Sequence, residues 1–348
     1  MSFVYVANLG DVGSVSVIDI KTHSVIATVE VGDDPRVIQF TPDGKLAYVM
    51  NDTSPGSISI IDTKTYSVIA TTLIGNNSSD LQISPDGKLA YVASVMEEFV
   101  CVIDTKTHSV IANVDIVNAP RVILITPDGS VAYVLSTRGQ QRLTAIDTKT
   151  HNIISTNFII GDSANNMVIT PNGKMLYVAT DMRNVMVIDT KTQSIITTIA
   201  IGGQFVNIGM VVAPDGKFVY VGSGQDRTVS VIDTKSHKII TTVDVGERPD
   251  NMVITPDGKL LYVANVSDNT ISVIDTKTHS VIATISVNDI GNNAAITLSL
   301  DGKFLYVANL GSGNVSVIET KTQSLIATVP VGRNPVGITV APSVTKII

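Results

Sequence analysis

Apolar and polar positions alternate in short runs along the whole chain, and the runs return in a fixed order. Residues 249–287 contain one full cycle. A first apolar run, 249–255, leads into Pro256-Asp257-Gly258-Lys259, a tight turn in which proline presets φ and glycine is free to take a positive value. The run 260–264 follows, then a polar loop, then 271–275, a second turn at Thr276-Lys277-Thr278-His279, and a last run, 280–287. Alternating β-branched runs this short, with turn signals between them, predict four antiparallel strands, labelled A to D in chain order.

The cycle is repeated eight times. Tyr5, Tyr48, Tyr91, Tyr133, Tyr177, Tyr220, Tyr262 and Tyr306 mark it at intervals of 42 to 44 residues. A four-stranded unit of this length predicts a propeller blade. Strands B, C and D recur eight times from residue 2 onward, and the eighth strand A, at 335–341, has no strand B after it. Pairing that last strand with the first three would hide two sheet edges at once. The expected fold is therefore all-β, a single eight-bladed β-propeller domain of four-stranded antiparallel blades over 1–348. The closing blade combines 1–31 with 335–348, and the others cover about 35–74, 78–116, 120–160, 164–201, 207–245, 249–287 and 293–331.

The wording of the repeat resembles the YVTN-repeat β-propellers, a family of bacterial and archaeal proteins that includes surface-layer components. The residues concerned are Ile254-Thr255-Pro256-Asp257-Gly258-Lys259, Tyr262-Val263-Ala264-Asn265 and Val273-Ile274-Asp275-Thr276, with their counterparts throughout the chain. The resemblance implies a propeller used for binding or surface display and leaves the chemistry open.

Composition narrows the partners. Hydrophobic residues make up 44% and charged residues 16%, as expected of a well-buried β chain, and no apolar run reaches the length of a membrane-spanning helix. The net charge of −7 argues against broad nucleic-acid binding. The sequence enters the repeat at once, with no basic segment and apolar core in front of it. That predicts a cytoplasmic protein, or an extracellular or cell-surface one if a leader has been removed. A monomer is expected.

Copy-to-copy comparison removes most reactive residues from consideration. All five histidines (His23, His108, His151, His237 and His279) occupy one position of the C–D turn, where the other copies carry Tyr66, Gln193 and Gln323. Metal or general-base chemistry needs ligands converging on one point, whereas equivalent turns form a wide ring, so solvated turn residues and no metal site are expected. Cys101 occupies a strand C position that is serine in other copies, and is expected to pack in the sheet. No motif implies a cofactor.

What remains lies on one face. All eight arginines fall in B–C loops or D–A connections, and every lysine but Lys346 falls near the opposite turns. The arginine face also carries seventeen acids, and that excess predicts a cationic ligand or basic partner. At the start of strand A, facing the channel mouth, the copies read Arg36, Asp80, Arg121, Asn165-Asn166, Asn207, Asp250-Asn251 and Asn292-Asn293, with Val336-Gly337 in the last. This ring predicts a polar pocket for a small polar ligand or protein partner, built from Arg36, Asp80, Arg121, Asn166, Asn207, Asp250, Asn251 and Asn293. Met96, Phe99, Met182, Phe205 and Val206 lie beside it as a candidate apolar wall. The other reading of the same ring is strand capping and channel hydration. Three functions compete: a binding propeller; a lyase or hydrolase with Asp80 or Asp250 as acid/base and Arg36 or Arg121 on an anion; and a structural repeat module.

Overall fold

A computed structural model of the chain describes residues 2–10, 12–139, 142–159, 164–180, 183–202, 209–291 and 295–342. The strands form eight separate sheets of four, each a meander in the order A-B-C-D. In the specimen unit they are Pro249–Ile254, Leu260–Asn265, Thr270–Asp275 and Ser280–Ser286, within about one residue of the pattern. The closing blade, blade 1, pairs Phe3–Asn8 with Pro335–Val340 on one side and with Ser14–Asp19 on the other, and Ser24–Glu30 is outermost. Numbering the rest in chain order, the strand A of each blade touches that of the next all the way round, and the last touches the first. The ring is closed. No helix among the described residues is long and apolar enough to cross a membrane.

The core lies between blades. Eight apolar clusters each join the B and C strands of one blade to strands A, B and C of the next, as where Tyr48, Met50, Ile58 and Ile60 meet Leu81, Val92, Cys101 and Ile103. The eight repeat tyrosines are the largest fully buried side chains, and several hydroxyls cross to the following blade. Tyr48 donates to the Thr105 carbonyl at 3.2 Å and shares a 2.9 Å hydrogen bond with His108 Nδ1. The histidine position has positive φ throughout, 56° at His108 and 53° at His237, so the turn bends back and carries the ring inward. The histidines are half-buried and at three sites bonded to tyrosine, at His23, His108 and His237, which is more than the solvated role expected of them.

The repeated aspartates fix the turns. Asp257 accepts from the Thr255 hydroxyl at 2.7 Å and the Lys259 amide at 3.1 Å, and Asp275 accepts from the amides of Lys277 and Thr278. Such Asx bonding satisfies the turn amides with a local carboxylate. The antiparallel meander places A–B and C–D turns together at one end of each blade, with B–C loops and D–A connections at the other.

Candidate functional site

The D–A connection prepares the site. The residue just before strand A takes positive φ in several blades, as at Asp34, Asn77, Ala119, Arg248 and Asn334. The A–B pairing then slips by a residue at the strand's second position, between Pro35 and Val37, Ser78 and Asp80, and Pro120 and Val122. A bulged residue is released from the ladder and its side chain is re-aimed. That residue is Arg36 in blade 2, Ser79 in blade 3 and Arg121 in blade 4.

These three line one open cleft of about 660 Å³, together with Asp52, Arg138 and Val336. Arg36 Nε lies 3.0 Å from Asp52 Oδ2. Arg121 and Arg138 are exposed and form no ion pair among the described residues. Both are well placed by their backbones. Ser79 Oγ donates to the Arg121 carbonyl at 2.8 Å, tying two inner strands together. The amides of Thr137 and Arg138 donate to the carbonyls of Ala119 and Asn118, which folds the B–C loop of blade 4 back over the D–A connection. Asn118 and Ala119 carry φ of 70° and 57°, and an alanine held in the left-handed region is a strained choice. The cleft thus sets three guanidinium groups against the carboxylate of Asp52. Its local sign is opposite to the acidic sum of the whole face.

The third position of strand A behaves differently. Asp80 Oδ1 accepts from the Leu81 amide at 2.8 Å and from Gln82 Nε2 at 3.2 Å, while Oδ2 accepts from the Ile123 amide of the next blade at 2.8 Å. Burial pushes its carboxyl up to about 6, against the pull of those donors. Asn166 Oδ1 takes the Met167 amide and Asn251 Oδ1 the Met252 amide, both at 2.8 Å. Asp250 is 8% exposed. None of these four lines the arginine cleft. Asn207 and Asn293 lie outside the described residues, as do Met182, Phe205 and Val206. Of the expected ring, the structure brings Arg36 and Arg121 together and adds Arg138 and Asp52. Those two sit in B–C loops of different blades, and only the ring geometry makes them neighbours.

Reactive side chains lie elsewhere. Cys101 is buried among apolar neighbours, its thiol pushed up to about 12 by that burial. Among the described residues no three His, Cys, Asp or Glu side chains gather to hold a metal ion.

The model of the family described as "Cytochrome D1 heme domain" matches residues 2–179 and again 171–294, so the two matches together cover most of the chain. The chain belongs to the cytochrome D1 heme domain family. The YVTN-repeat family, which the wording of the repeat resembles, is not the one these comparisons show. No curated protein matches the sequence. Among solved structures, the dihydro-heme d1 dehydrogenase NirN in complex with DHE is similar with a TM-score of 0.84 at 16% identity, over 97% of this chain and 74% of that one. Hydrazine synthase of Kuenenia stuttgartiensis is similar with a TM-score of 0.63 at 24% identity, over 76% of this chain and 89% of that one. A protein of unknown function from Desulfotomaculum acetoxidans gives 0.68 at 18% identity, over 85% and 99%. At these identities the likeness is one of fold.

Proposed function

We propose that this chain is a ligand-binding propeller whose cleft of Arg36, Arg121 and Arg138 captures a carboxylate-bearing anion of the tetrapyrrole class. The observation that carries the reading is the cleft itself, with two exposed guanidinium groups that no described carboxylate engages. Guanidinium forks match carboxylates in shape as well as charge. Family membership supplies the ligand class, because a heme carries ionised carboxylates on its rim. The arginines fit that rim. The iron is another matter: no histidine, cysteine or tyrosine is found in the cleft, so no step is routed through the metal.

The enzymatic alternative rests on Asp80 and Asp250. Both oxygens of Asp80 are taken by donors of the inner strands, a linking arrangement, and the binding reading is preferred.

The test is a titration of the chain with a porphyrin bearing four carboxylates and with one bearing four cationic groups. The carboxylate porphyrin is expected to bind in preference. Arg121→Ala and Arg138→Ala are each expected to weaken it roughly ten- to a hundredfold, the worth of one charge-assisted contact. Both side chains are exposed, so the melting temperature should barely move. Preference for the cationic porphyrin, or unaltered affinity in both variants, would sink the proposal.

A further inference from the structure

We infer that this cleft recognises its ligand through rim carboxylates alone, so that a metal-free tetrapyrrole binds as tightly as its iron-bearing form. The inference rests on the carboxylate-cleft reading above and sharpens it to a selectivity that a heme-binding family would not suggest.

Proteins ligate heme iron through imidazole, thiolate, thioether or phenolate. The chain has five histidines, one cysteine and nine tyrosines, and all of them fall within the described residues. Every histidine sits in a C–D turn, and Nδ1 of His108 and of His237 is within 3.0 Å of a tyrosine hydroxyl of the preceding blade. Cys101 and the eight repeat tyrosines are at most 1% exposed inside the interblade core. The ninth, Tyr66, occupies the C–D turn position, packed edge-on against Phe3.

The meander fixes the distance between these turns and the cleft. The turns close one end of the blades and the cleft opens at the other, with strands of six residues between them. At about 3.3 Å per residue that is a separation of about 20 Å. No rotamer of a turn histidine spans it. Among the described residues the one exposed thioether is that of Met96, in the B–C loop after Leu89–Ser94, at 59%, and it is the side chain to be tested directly; Met1 and Met182 lie outside the described residues. What the cleft does present is charge: Arg121 and Arg138, anchored by Ser79 and by the Asn118–Ala119 carbonyls, with Arg36 already accustomed to a carboxylate partner in Asp52. A ring whose acids are gripped this way gains its affinity at the rim, and the metal adds nothing to it.

The test uses the full chain, protoporphyrin IX and its iron(III) form. Equilibrium dialysis gives both affinities, and absorption spectra of the iron form are recorded before and after adding imidazole. The two affinities are expected to agree within about fivefold. The Soret band should shift only when imidazole is added, and Met96→Ala should change neither readout. A metal-free ring that binds more weakly than that, or a spectrum already showing nitrogen or sulfur ligation before imidazole, overturns the inference. Binding of neither ring, or binding of both that Arg121→Ala leaves untouched, instead overturns the carboxylate-cleft reading, and the inference falls with it.

Discussion

Tyr48 and Tyr5 occupy the same position of the repeat and differ in what their hydroxyls meet. Tyr48 Oη reaches the Thr105 carbonyl and His108 Nδ1, whereas Tyr5 Oη is buried with no hydrogen-bond partner among the described residues. Burial raises the phenol pKa of both well above its ordinary value, so each stays a neutral donor. A buried hydroxyl with partners contributes about 1 kcal/mol, and its loss also strands the partners, while an unpartnered one is a desolvation cost. Tyr48→Phe is therefore expected to lower unfolding stability by roughly 1–2 kcal/mol. Tyr5→Phe should be neutral or stabilising. Denaturant midpoints of the two variants check this, and equal losses would mean that the partners of the hydroxyl make no difference. The tyrosines are identical in the sequence pattern; the difference comes from the turn residue of the next blade, histidine for one and Tyr66 for the other.

At the scale of the element, the inner strand does two jobs at adjacent positions. The second residue, as Arg36, Ser79 and Arg121, is thrown out by the bulge and faces the cleft; the third, as Asp80, ties its strand to the next blade. Gly337 holds the third position in the strand Pro335–Val340, where other blades carry Asp80 or Asn166. A Cβ on Gly337 would stand 2.2 Å from the Arg36 carbonyl oxygen, so the closing strand and the strand Pro35–Phe40 approach each other only because no side chain intervenes. Gly337→Ala is expected to cost about 1–3 kcal/mol through overpacking and to weaken ligand binding by shifting Arg36. Removing residues 335–348 altogether should go further, because it exposes the edge of Phe3–Asn8 and opens the ring. Calorimetry should show the whole transition displaced; a truncated chain that melts like the intact one would refute the role of the closing strand.

For the whole molecule, the repeat multiplies one titration. Asp86 and Asp257 are pushed down to about 2, first by the hydroxyls of Ser84 and Thr255 and then by Lys88 and Lys259. Asp62, Asp104, Asp147, Asp189 and Asp275 are held below the usual carboxylate range chiefly by the amide three residues on. A folded pKa below the unfolded value of 3.8 contributes stability that is complete above 3.8 and lost as pH falls towards about 2. Burial lowers His23 and His279 from 6.5, so the cost of protonating them begins as pH falls below 6.5. Asp80 acts the other way: raised to about 6, it adds stability as pH falls from 6 to 3.8. The expected profile is nearly flat from neutrality to about pH 4, then falls steeply below it as these turn aspartates protonate together. Circular dichroism against pH checks this, and loss of structure centred above pH 5 would contradict it.

The strands, their order, the eight-fold repeat and the sealed first blade were legible in the sequence because alternation, turn chemistry and copy number are local properties that a closed ring leaves no freedom to rearrange. So was the sorting of charges to two faces, which follows from the antiparallel meander. Arg36 and Arg121 were legible too, since the second position of strand A is where the copies differ. What only the tertiary structure decided is which charges meet. Asp52, Ser79, Arg121 and Arg138 come from three blades and lie up to 86 residues apart, and the bulges and the returning loop of blade 4 set the spacing between them. A sum over the face counts every acid equally and predicts a cationic ligand. Coulomb energy depends on distance, and the cleft gathers arginines where the acids are few.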